Sequence, residues 1–122
     1  MGQEERNNMH DFNDGKGPIP AHQHPNGGGW VADTATVDAT VYVGPYAQVY
    51  GNTQVFGYAR VYGNARVYGT VWVFDDVQVF DDARVYGNAE VYGYARVSGN
   101  AWVSGKAWVS GNACVSEGSV SQ

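Results

Sequence analysis

A valine stands at every sixth position from Val31 to Val115, fifteen in succession with no insertion and no slip. Two residues before nearly every one lies a small or β-branched residue, from Ala35 to Ala113. Two residues after most of them lies Gly or Asp, as at Gly51, Gly63, Asp75 and Asp81. The stretch VYGNAR at 61–66 shows the unit cleanly. Small, variable, Val, aromatic is an in-out-in-out alternation, the period-2 signature of a short strand. Gly-Asn or Asp-Asp then supplies a corner, because Gly, Asn and Asp tolerate positive φ. Six residues of strand plus corner cannot bury their own inward face. Stacked copies bury one continuous valine column, which is the logic of a solenoid.

Composition removes the alternatives. The chain has 19 Val, 13 Ala and 17 Gly, with one Ile and no Leu. Valine loses rotamer freedom in a helix and glycine destabilises one, so an all-α fold is close to excluded. An antiparallel sandwich needs turn signals at wider and more varied spacing than this. The 122 residues therefore predict an all-β chain with one repetitive domain at 29–118, a non-repetitive N-terminal segment at 1–28 and a short tail at 119–122. Three units per turn make an 18-residue coil, and ninety repetitive residues make about five coils. At roughly 4.8 Å between stacked strands, the prism stands about 24 Å tall.

Val61 with Ala65, Val67 with Val71, and Val79 with Ala83 give an aliphatic residue followed four positions later by a small or β-branched one. In this the chain resembles the hexapeptide-repeat, left-handed parallel β-helix family, over about residues 29–118. The resemblance, rather than the spacing, implies a left-handed triangular coil. The common Gly just after the aliphatic residue stands one place later here, as in Val61-Tyr62-Gly63. That variant is similar to the YGNARV-type repeats of uncharacterised bacterial and phage proteins, and the analogy implies a role in phage structure or in countering host defence.

Stepping by 18 residues predicts the outer columns. Three are aromatic: Tyr50, Tyr68 and Tyr86; Phe56, Phe74 and Tyr92; Tyr62 and Phe80. Such ladders stabilise by stacking, each pair contributing ~0.5–1 kcal/mol, or they form an interface between copies or a sugar-binding strip. Tyr50, Tyr68, Tyr86, Phe56, Phe74 and Trp72 are the candidate interface residues. The variable positions give Trp30, Gln48, Arg66, Arg84, Trp102; then Thr36, Gln54, Trp72, Glu90, Trp108; then Tyr42, Arg60, Gln78, Arg96, Cys114. Arg66 and Arg84 lie one coil apart, and a carboxylate or phosphate would relieve their repulsion. With Trp102 and Trp108, which fall on different faces, they are the candidate residues for a small nucleotide-like anion at a cleft between subunits.

Asp75-Asp76 and Asp81-Asp82 replace Gly-Asn at two corners. Carboxylate pairs suit a hard cation, but these sit at different corners and Asp is an ordinary turn residue, so no metal is expected. His22 and His24 lack the Cys or carboxylate spacing of a metal site. Their segment, with Pro18, Pro20, Pro25 and Gly27-Gly28-Gly29, reads as an ordered-to-flexible lead-in that covers the first coil.

The enzymes of the resembling family are acyltransferases that use a His base, and carbonic anhydrases that use three His around zinc. Residues 30–118 hold no histidine, and Cys114 has no partner to activate it. No catalytic residue and no cofactor is therefore expected. Only Thr34 and Thr36 form a Thr-x-Thr, too little for an ice-binding array. The net charge of −5 excludes a nucleic-acid or anionic-membrane footprint. The start MGQEERNNMHDF has no signal-peptide core, and Arg6 spoils the acylation motif; a cytoplasmic chain is expected. One cysteine allows no internal disulfide. The leading expectation is a non-catalytic scaffold that associates with itself, as a side-by-side homotrimer like most enzymes of the resembling fold, or with another protein.

Overall fold

The structure is a computed structural model that describes residues 8–121. The first residues of the N-terminal segment, including the acylation reading at Arg6, lie outside the described residues. Strands β1 (Met9–Asp11) and β2 (Pro18–Gln23) form an antiparallel hairpin. The first coil supplies β3 (Trp30–Ala32), β4 (Thr36–Val37) and β5 (Tyr42–Val43), the second β6 (Gln48–Val49), β7 (Gln54–Val55) and β8 (Arg60–Val61). The third supplies β9 (Arg66–Val67), β10 (Trp72–Val73) and β11 (Gln78–Val79), the fourth β12 (Arg84–Val85), β13 (Glu90–Val91) and β14 (Arg96–Val97). The fifth holds β15 (Trp102–Ser104), β16 (Trp108–Val109) and β17 (Cys114–Val115), followed by β18 (Ser119–Ser121).

Every third strand pairs in parallel. The first face of the prism runs β3-β6-β9-β12-β15-β18, with the hairpin added antiparallel at β3; the second runs β4-β7-β10-β13-β16 and the third β5-β8-β11-β14-β17. The chain is thus an all-β solenoid of about five turns, with residues eighteen apart in register: Val67 pairs with Val85, and Arg66 with Arg84. Strands this short hold because outward amides reach the next coil, as Tyr50 N–H does to Val67 O at 3.0 Å and Asp76 N–H to Gly93 O at 2.9 Å.

The valines of the period are buried, except Val37 and Val115, which are half-buried on the two end coils. The second inward column, Val41, Ala47, Ala59, Ala65 and their successors to Ala107, is equally dry. Thr53 is the polar member of that column, and its hydroxyl satisfies itself on the Tyr50 carbonyl at 2.9 Å. Corners take positive φ, at Gly63 (67°) and also at Asp75 (66°) and Asp81 (60°). The two Asp carboxylates accept the amides of Gly93 (3.0 Å) and Gly99 (3.1 Å) in the coil below, so the side chains tie neighbouring corners together.

The C-terminal boundary differs from the expected one. Instead of a tail from residue 119, β18 joins the first face with Val120 opposite Val103. The last corner, Ser116-Glu117-Gly118, is one residue shorter than the others, which drops Val120 out of the valine period. Gln122 lies outside the described residues. Two of the three glycines read as a lead-in are also tightly packed: a Cβ on Gly27 would lie 2.1 Å from the Val43 carbonyl oxygen, and one on Gly29 would lie 2.2 Å from that of Gly44. Their backbone presses on the free edge of β5, where Val43 N–H donates to Asn26 O and Gly29 N–H to Val43 O, each at 3.0 Å.

Candidate functional site

The first face carries the longest aromatic ladder. Tyr50 stacks on Tyr68 at 4.8 Å and Tyr68 on Tyr86 at 5.1 Å, with Trp102 edge-on below. The hairpin closes the top: Phe12, fully buried, stacks on Tyr50 at 4.6 Å, and His10 stacks on Trp30 at 4.6 Å. Tyr50 was expected as an exposed interface residue; only 5% of it is exposed, because Phe12 of its own chain covers it. Burial pushes its phenol pKa up, an effect reduced by a hydrogen bond and the positive charge of Arg66. Burial likewise lowers the His10 imidazole, against a smaller raising effect from Asp11; its Nε2 is buried without a hydrogen-bond partner.

Arg66 and Arg84 lie side by side on β9 and β12, as the eighteen-residue step requires. Each has a partner of its own. Arg66 donates to the Phe12 carbonyl at 3.4 Å, and the Arg84 guanidinium sits 5.5 Å from the Trp102 ring centre, a cation–π distance. Trp108 stands apart from these three, on the second face.

The second face carries two exposed tryptophans, where the first has one, Trp102, 44% exposed. Trp72 on β10 and Trp108 on β16 are 47% and 68% exposed, in one column with Glu90 between them. Beside them Phe74 stacks on Tyr92 at 4.9 Å, and Phe56 is half-buried.

The third face holds an open cleft of about 540 Å³ lined by Asn26, Thr40, Tyr42, Tyr58, Arg60 and Tyr62. Arg60 pairs in register with Tyr42 above and Gln78 below, and Tyr62 gives its hydroxyl to Gln78 Oε1 at 3.1 Å. A smaller hollow of about 230 Å³ continues over Tyr58 and Arg60 to Asp76 and Gln78. Arg60 is exposed and has no ion pair among the described residues.

Neither candidate histidine joins a cluster. The Nε2–H of His24, which is buried, donates to the Val41 carbonyl at 2.8 Å, while His22 Nδ1 pairs with Asp33 at 2.7 Å. No group of three His, Cys, Asp or Glu side chains is arranged to hold a metal among the described residues. Cys114 is exposed, and among the described residues no helix is long and apolar enough to cross a membrane.

Residues 59–74, 77–93 and 95–111 match the YdcK beta solenoid repeat in three consecutive copies, together under half of the chain. The chain is built of β-solenoid repeats. No curated protein and no solved structure matches it.

The β-solenoid gives three flat faces with different chemistry: a ladder sealed by the hairpin, a tryptophan column, and a tyrosine-lined cleft around an arginine. The cleft did not follow from the valine period. Its signal was partly present, since the eighteen-residue step places Tyr42 beside Arg60. The same step sets Tyr58 one coil below Thr40, but Asn26 enters from the non-repetitive segment, where the period sets no position.

Proposed function

We propose that this β-solenoid is a non-catalytic scaffold that associates with itself through its second face, as a side-by-side homotrimer. The observation that carries the reading is the pair Trp72 and Trp108, on one unbroken face and exposed at 47% and 68%. Two exposed tryptophans with a half-buried Phe56–Phe74–Tyr92 column alongside are a large apolar area for a monomer, and aromatic residues are enriched at the centre of interfaces. Cyclic symmetry turns the same face of each prism to the axis and leaves the third face open. The absence of histidine between residues 30 and 118 supports a role without acid–base chemistry in the coils. The six-residue period supports a place among left-handed hexapeptide-repeat helices, and a cytoplasmic site fits a chain whose single cysteine needs no oxidising compartment.

Light scattering at two concentrations tests this. The expected mass is three times the 13.2 kDa of the chain, falling to one chain in the double variant Trp72→Ser, Trp108→Ser with its circular dichroism unchanged. A single-chain mass for the wild type at both concentrations overturns the trimer and leaves the aromatic columns as intrachain stabilisers.

A further inference from the structure

The four arginines of the coils occupy equivalent outward positions, just before a period valine, yet their surroundings differ. Arg66 is occupied by the Phe12 carbonyl and Arg84 by the Trp102 ring. Arg96 pairs in register with Gln78 and Cys114, with Ser98 where Arg60 has Tyr62. Arg60 lines the open cleft with Tyr42, Tyr58 and Tyr62. A guanidinium stays charged at any biological pH and offers five donors in a planar fork, the shape that a carboxylate or phosphate meets with two hydrogen bonds. Here that fork has no acid partner among the described residues, in a chain that carries a net charge of −5. Asp76 lines the adjoining hollow without closing to ion-pair distance.

The rest of the cleft suits a ring. Tyr58 stands 69% exposed at its corner, a rigid apolar plate with a polar tip, and such plates stack on flat or CH-rich rings. Asn26 and Thr40 add neutral polar groups to the lining, Thr40 one coil above Tyr58 with its hydroxyl donated to the Gly57 carbonyl. A volume of about 540 Å³ falls in the range that holds a single small molecule, ~300–1,000 Å³. From this we propose that the third face binds a small ring compound bearing one oxyanion, a sugar acid or a nucleoside monophosphate, with the anion on Arg60 and the ring against Tyr58. The site lies within one chain and does not depend on the trimer.

Isothermal titration of the full chain with galacturonate, galactose, AMP and adenosine tests the assignment. Either acid binds while its uncharged counterpart does not; which acid binds identifies the source of the anion. Arg60→Gln weakens that binding about tenfold or more, the scale of losing a charge-assisted hydrogen bond. Arg96→Gln, the same strand position two coils away, leaves it unchanged, and Tyr58→Ala weakens it with folding intact. No heat from either acid overturns the proposal. So does equal loss in Arg60→Gln and Arg96→Gln, which would show general electrostatic attraction instead of a site.

Discussion

At the N-terminal end of the solenoid, β2 pairs along β3, Phe12 is fully buried on Tyr50, and the loop at Asn26–Gly29 hydrogen-bonds the edge of β5. At the C-terminal end of the described structure, Ala113 and Cys114 are exposed, Val115 and Val120 are half-buried, and Trp108 stands 68% exposed. The coils at both ends follow one repeat, so the difference does not come from the repeat. A repeat specifies only what one coil offers the next: an inward valine, an outward aromatic, and backbone groups seventeen or eighteen residues apart. Where there is no next coil, the same residues become an open edge, and only non-repetitive sequence can close it.

The sharpest test of this view sets the middle of the stack against its end. Val73→Asp puts a charge in a column sealed on both sides, where it can be neither solvated nor paired; the variant is expected to lose its cooperative thermal transition. Val115→Asp, on the half-buried last coil, should keep a melting curve close to that of the wild type. If both melt normally, the inward assignment of the valine column is wrong.

A smaller effect compares the ends directly. Phe12→Ala removes the fully buried ring that seals the first-face ladder, at a cost of about 3–5 kcal/mol by the usual scale for phenylalanine truncation. Val120→Ala at the open end should cost about 1 kcal/mol or less. Urea titration of the two variants measures both; equal costs would mean that the hairpin is an ornament and not a closure.

The smallest effect is a pH dependence confined to the closed end. Burial holds the His10 imidazole below its ordinary value of 6.5, with Asp11 opposing more weakly. The folded state therefore binds the proton later than the unfolded chain. Stability from this residue is complete above about pH 6.5 and declines as the pH falls below it, until the folded form is protonated too. His10→Phe, which keeps a ring against Trp30, should flatten that part of the stability profile between pH 7 and 5. An unchanged slope would remove His10 from the account.

The period of valines, the corner glycines and the absence of leucine determined by themselves that the chain stacks into parallel coils, because a six-residue strand and corner has no other way to bury its inward face. They also placed the aromatic columns, since an eighteen-residue step is all that a stacked pair such as Tyr68 and Tyr86 requires. Contacts that leave the period were decided only by the tertiary structure. Phe12 reaching Tyr50, Arg66 turning to the Phe12 carbonyl, Val120 joining the first face after a shortened corner, and Asn26 reaching the cleft around Arg60 all join residues whose separations the repeat does not set. A one-dimensional pattern encodes neighbours along its own axis; where a non-repetitive segment folds back across that axis, the partner is chosen by shape and by the hydrogen bonds left open at the edge.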